Sequence, residues 1–228
     1  MRKLASLGVA ALFALVLVGC GGSGSTTLGA RNPRVRVMDS LDNPTNVKIA
    51  VNHQVLANNS QYGFATGYTV IDNGNQTVQF SNADTGASLV DTTELFELDN
   101  YYTVIGYNTA GGPREITLSD IPNTGIASGH AMVRVVNVAT QNVDVYITAP
   151  GANLNTSTPT VTNDNIGDAA QAYTDETIGT YEVRVTQAGT KNVLASNTFA
   201  FQDRLAQTIV FGVNNGTYTL SLLAARPI

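Results

Sequence analysis

The 228-residue chain is 43% hydrophobic and only 13% charged, with 12 Lys and Arg against 17 Asp and Glu and a formal net charge of −5. A charged fraction about half the ~25% usual for globular chains excludes a coiled coil and a charged disordered tail, and so few basic residues exclude a nucleic-acid binder. The 28 Thr and 22 Asn suit strands and turns and suit helices poorly.

Met1-Arg2-Lys3 is basic, and the apolar run Leu4–Gly19 that follows holds no charge. As a helix at ~1.5 Å per residue the run spans roughly 24 Å, short of a ~30 Å hydrocarbon core. Basic, then apolar, then small is the order of a secretory signal, here residues 1–19. The single cysteine ends the run in Leu17-Val18-Gly19-Cys20, which resembles the lipobox of bacterial lipoproteins. That resemblance implies cleavage before Cys20, a diacylglycerol on its thiol and a further acyl chain such as palmitate. Several acyl chains, each buried CH₂ contributing about 0.8 kcal/mol, hold a protein stably on a membrane. The expected mature chain keeps 10 basic residues against 17 acidic, net −7. Residues 20–33, opening Cys-Gly-Gly-Ser-Gly-Ser, read as a flexible tether. Gly21 in place of Asp points to the outer membrane or cell surface if the host is Gram-negative, and with one Cys no disulfide is expected.

The rest of the chain reads twice. Val35-Arg36-Val37-Met38-Asp39 matches Val133-Arg134-Val135-Val136-Asn137, and Asn46–Val51 matches Asn142–Ile147. Thr77–Phe80 then matches Glu182–Val185 at an offset of 105, and Val104–Asn108 matches Val210–Asn214 at 106. The growing offset places about nine extra residues of repeat 2 in the Asn/Thr/Pro-rich stretch Asn153–Asn165. Each block alternates β-branched and polar residues with period 2, the mark of strands with one face buried and one in water. Asn215-Gly216 and Asp72-Asn73-Gly74-Asn75 read as tight hairpins, with Ala110-Gly111-Gly112-Pro113 replacing the Asn-Gly turn in repeat 1. About seven short strands per repeat predict an all-β chain of two tandem antiparallel β-sandwiches with an immunoglobulin-like look. A single closed barrel fits poorly because each half is self-similar. The expected division is repeat 1 over residues 34–121, a linker over 122–130 and repeat 2 over 131–228.

Arg134–Ala139, Asn142–Ile147 and Gly179-Thr180-Tyr181-Glu182-Val183-Arg184-Val185 resemble the bacterial domain-of-unknown-function family numbered 4397. The resemblance runs over about residues 34–228, closer in repeat 2 than in repeat 1. It implies a β fold on an exported or surface-anchored protein and brings no catalytic residue.

Residues with chemistry are few. His53 and His130 each lack a second His or Cys nearby, so no metal site is expected. Ser128, His130 and Asp120 lie close in sequence, but no Gly-x-Ser-x-Gly elbow accompanies them. Asp91, Glu94, Glu97 and Asp99 form one acidic group, and Asp164 with Asp168 another. Two carboxyls about 5–9.5 Å apart across a cleft would serve glycoside hydrolysis. Asn163–Asp168 is oxygen-rich but lacks the twelve-residue calcium pattern, and reads as a polar surface loop. Tyr62, Phe64, Tyr68, Tyr146 and Tyr173 are read mainly as sheet packing, with a glycan platform as the alternative. Arg36 and Arg134 occupy matching outward positions, but Lys48 and Asp144 beside them differ in sign, so no shared ionic site is expected.

The sequence therefore predicts a lipid-anchored cell-envelope protein, a non-enzymatic binding or structural module held to the membrane through Cys20. No cofactor or nucleic acid is expected, and an envelope protein or glycan is the expected partner. Asn153, Asn155, Asn163, Asp164 and Asn165 are the candidate partner contacts, since loops carry recognition on a rigid scaffold. The alternatives are an envelope hydrolase or glycan-processing enzyme using the loop carboxylates, and a glycan-binding module.

Overall fold

The computed structural model describes residues 30–42, 46–122, 125–169 and 172–227; Cys20 and the signal lie outside them. Repeat 1 contributes β1 (Arg34–Ser40), β2 (Val47–Val51), β3 (Gln54–Ser60), β4 (Thr69–Val70), β5 (Gly74–Asn82), β6 (Ser88–Phe96), β7 (Tyr101–Thr109) and β8 (Gly112–Ser119). Repeat 2 contributes β9 (His130–Asn137), β10 (Val143–Thr148), β11 (Val161–Asp164), β12 (Thr174–Thr177), β13 (Gly179–Gln187), β14 (Val193–Phe201), β15 (Leu205–Asn214), β16 (Thr217–Leu222) and the short β17 (Arg226–Pro227).

Each repeat is a sandwich of two sheets with one topology. In repeat 1 the orders are β4-β1-β7-β8 and β3-β2-β5-β6; in repeat 2 they are β12-β9-β15-β16, with β17 beside β15, and β11-β10-β13-β14. The pairing is antiparallel except that β1 runs parallel to β7 and β9 to β15. The inward residues Val35, Val37, Ile49, Val78, Phe80 and Val104 make the first core, and Val133, Val135, Val145, Val183, Val185 and Phe211 make the second.

The expectation of one wet face fails for the parallel strands. β1 is buried from Val35 to Ser40 and β9 from Ala131 to Asn137. Their outer faces carry a third apolar cluster drawn from both repeats, with Met38, Ile105, Tyr107, Ile116 and Leu118 packed against Val136, Val138, Val210 and Leu223. The sandwiches are thus joined face to face. Alternation in sequence separates the core side of a strand from the other side, but does not distinguish water from a second domain.

Three details of the sequence reading change. Arg36 is opposite Thr103 and Arg134 opposite Thr208, which sets the offset for β7 and β15 at 105, so Gly106 corresponds to Phe211 and not to Gly212. A one-residue slip of this kind exchanges the faces of a strand. Asp72-Asn73 links β4 to β5, which lie in different sheets, so it is not a hairpin. His130 belongs to β9 rather than to the linker. The Asn215-Gly216 hairpin stands, with φ of 49° and 74° as a type I′ turn requires. So does the extra segment of repeat 2, which lies at 149–160, where repeat 1 has only Asn52-His53.

Candidate functional site

Polar side chains gather in three places. The first is the joint between the repeats. Arg36 and Arg134, 2% and 4% exposed, stand on the outer faces of β1 and β9, and the fully buried Asp120 lies between them. Arg134 donates to Asp120 Oδ1, and Arg36 Nε is 3.7 Å from Oδ2. Each arginine also donates to the threonine opposite it, Arg36 to Thr103 at 2.7 Å and Arg134 to Thr208 at 3.1 Å. Asp120 Oδ2 accepts from Thr103 at 2.6 Å and from the Tyr68 hydroxyl at 2.7 Å. Arg36 lies over the Tyr68 ring at 4.9 Å and Arg134 over Tyr173 at 4.5 Å. Burial and the Asp120 charge push the Tyr68 hydroxyl well above the ordinary range, and burial also raises Tyr173. The expectation of no shared ionic site is therefore wrong. Arg36 and Arg134 meet one carboxylate that neither repeat motif contains, because Asp120 follows β8. It cannot serve a triad with His130, which instead meets Asp175 at 2.8 Å.

The second place is the side of sandwich 1 where the edge strands β6 and β8 approach. Glu94 on β6 and Glu115 on β8 turn inward and hydrogen-bond to each other. Glu115 also accepts from Thr92 and from Thr117, each at 3.1 Å. Burial, then the charge of Glu94, pushes the Glu115 carboxyl up to about 7. A recess of about 350 Å³ opens beside it, lined by Val90, Asp91, Thr92, Tyr107, Arg114 and Glu115 among others. At the matching positions of repeat 2 stand Phe199 and Leu220, which close that edge with apolar contact. Sequence reading singled out Glu94 but missed Glu115, which lies in a different strand. The two carboxyls touch, which leaves no room between them for a glycosidic bond. Glu97 and Asp99 do not join the pair; Asp99 accepts the Arg31 N–H at 2.8 Å.

The third place is the extra segment of repeat 2. It folds back over the outer face of sheet β11-β10-β13-β14 as a strap. Asn153 caps a single 3₁₀ turn (Leu154–Thr156) by accepting from the Asn155 N–H at 3.0 Å. Arg184 donates to Ala152 O at 2.8 Å, and Glu182 accepts the Gly151 N–H at 2.9 Å. Lys191 donates to Ser157 O at 2.8 Å and to the Tyr146 hydroxyl at 3.0 Å, with its ammonium over that ring. Asn153 and Asn155 are exposed on the strap. Asn163 and Asn165 are exposed too, but their side-chain oxygens hold Asn142 at 3.2 and 2.8 Å. Asp164 is 2% exposed, so it is no surface contact.

The tyrosines considered for a glycan platform serve packing. Tyr146 is buried under the strap, Tyr68 and Tyr173 sit on arginines, and Tyr62 meets Thr219 across the joint at 2.8 Å. Phe64 remains 47% exposed. Among the described residues, no three His, Cys, Asp or Glu come together as a metal-binding set.

A family model described as a domain of unknown function (DUF4397) matches residues 33–146, which takes in repeat 1 and runs into β10. The match thus falls chiefly on repeat 1, where the sequence reading put the weaker resemblance. No curated protein matches the chain. Among solved structures, the family CBM26 module CBMbc of Eubacterium rectale Amy13K, in complex with maltoheptaose, aligns at 8% identity with a TM-score of 0.29. The alignment covers 84% of this chain and 97% of that one.

Proposed function

The chain belongs to the DUF4397 family, whose description assigns no activity, and we propose that it is a lipid-anchored, exported envelope protein acting as a non-catalytic binding or structural module. One observation carries the second half of this reading. Six charged side chains are spent on construction: Arg36, Asp120 and Arg134 join the repeats, and Glu182, Arg184 and Lys191 hold the strap. What remains outward is a rigid pair of sandwiches offering the recess beside Glu115 and the exposed Asn153 and Asn155 of the strap. An envelope protein or a glycan is the partner class such polar, weakly charged surfaces suit.

The anchoring half rests on Leu17-Val18-Gly19-Cys20 and the Gly/Ser tether after it. Cys20→Ala tests it. The variant is expected to leave the membrane fraction and to lose metabolic labelling by an alkynyl palmitate; a variant that stays on the membrane contradicts the anchor. For binding, the intact protein is captured from native envelopes and probed on a glycan array. A partner lost when Asn153 and Asn155 are both changed to Ala supports the strap as contact surface, and retention of that partner counts against it.

A further inference from the structure

The repeats meet through the same strands, so the joint has the form of a two-fold contact between unequal halves. Arg36 of repeat 1 donates to Ala224 O after β16, and Arg134 of repeat 2 donates to Ser119 O at the end of β8. Ser119 and Ala224 thus accept at equivalent positions, and Asp120, whose N–H bonds Tyr101 O, corresponds to the Ala225-Arg226 step beside Ala206, where repeat 2 has no carboxylate. Gly63 and Gly167 are equivalent as well, because their N–H groups bond Asp39 O and Asn137 O at matching points of β1 and β9. Tyr62 therefore corresponds to Ile166, and Tyr107 to Gly212.

At these positions the halves have diverged in a complementary way. Tyr62 stands over Gly212, where a Cβ would lie 2.5 Å from its hydroxyl. Tyr107 stands over Gly167, where a Cβ would lie 2.0 Å from its hydroxyl. In both contacts repeat 1 supplies the ring and repeat 2 the space. Two copies of repeat 1 in the same arrangement would set Tyr62 against Tyr107 twice. Two copies of repeat 2 would set Gly212 against Gly167 twice, with no ring between them, and would bury two Arg134 guanidiniums with no carboxylate in place of Asp120. The first is overpacked; the second strands buried charge without a partner.

We propose that the inter-repeat face is a directed joint that accepts only the opposite repeat, its own or that of a second copy, so that any assembly through this face alternates repeat 1 with repeat 2. Such specificity needs elements that reject the wrong pairing, and the Tyr62–Tyr107 collision and the missing carboxylate supply them.

The test uses the whole folded chain with a protease site inserted between residues 123 and 124. After cutting, the protein is mixed with an isotopically labelled cut sample and weighed by native mass spectrometry. The expected species are repeat 1 with repeat 2 only, including labelled–unlabelled hybrids; a pair of two repeats 1 or of two repeats 2 overturns the proposal. The uncut chain gives a second measurement should the halves fail to exchange. Gly212→Tyr is expected to speed proteolysis of the linker at least tenfold, and adding Tyr62→Gly to bring it back within about twofold of wild type. Equal rates in the single and double variants overturn the proposal, as does a Gly212→Tyr chain cut no faster than wild type.

Discussion

Gly106 of β7 lies against the ring of Phe80 of β5, so closely that a Cβ at position 106 would stand 2.5 Å from Phe80 Cε1. At the same two positions of repeat 2 the sizes are reversed, with Phe211 on β15 and Val185 on β13. One core has a large residue on β5 and none on β7; the other has a small one on β13 and a large one on β15. Gly106→Ala should destabilise repeat 1 by about 1–3 kcal/mol, the range for overpacking, and lower Tm by about 2–4 °C per kcal/mol. Phe80→Val with Gly106→Phe copies the repeat 2 solution and should recover most of that loss in a thermal melt. No recovery would show that the two cores do not share a register.

Among the described residues, Asp120 is the one carboxylate between Arg36 and Arg134. Its removal leaves two buried guanidiniums facing each other, and breaking a buried pair in this way costs about 3–5 kcal/mol. Urea denaturation of Asp120→Ala should show a loss of that order. Replacing both arginines by Met in the same variant should restore part of it, since no orphaned charge then remains. An additive further loss in the triple variant would contradict the reading of the cluster as one unit.

Glu115 gives the chain a pH dependence with a definite sign. Its carboxyl lies at about 7 in the folded chain against 4.5 as an ordinary side chain, because burial and Glu94 oppose its charge. Between those values the folded state holds more protons than the unfolded state, so stability falls as pH rises through the window and levels off above about 7. Asp39 and Glu176 are also raised by burial, so wild type is to be compared with Glu115→Gln. Urea midpoints from pH 4.5 to pH 8 should fall more steeply for wild type than for Glu115→Gln; parallel curves would dismiss the carboxyl pair.

Lys191 fastens the strap to Tyr146 through both its ammonium bond and its place over the ring. Lys191→Ala should therefore expose residues 149–160 to limited proteolysis while changing global stability by only about 1 kcal/mol, because an exposed loop opens locally. Cleavage elsewhere in the chain at the same rate would argue that the strap and the sheet beneath it unfold together.

The architecture was legible where local chemistry decides it. Valine alternation located the strands, Asn215-Gly216 fixed a hairpin, and the repeat announced two like units. What escaped depends on contacts between distant segments. Arg36 and Arg134 look like solvent residues because each repeat, read alone, gives its outer face nothing to meet. Glu115 carries no motif, and only the approach of β6 to β8 sets it against Glu94. Gly106 and Gly212 look alike in sequence and suggest a register one residue off, whereas the pairing of Arg36 with Thr103 and of Arg134 with Thr208 decides the alignment. The insertion marks the strap residues Asn153 and Asn155, but Asp164 ends β11 beyond the strap, and its burial leaves no mark on the sequence.

The proposal that Cys20 carries a lipid anchor is tested most directly by mass spectrometry of the protein extracted from native envelopes. The predicted N-terminal peptide begins at Cys20 and carries a diacylglycerol and a further acyl chain. A peptide that begins elsewhere, or a Cys20 with a free thiol, would contradict the account.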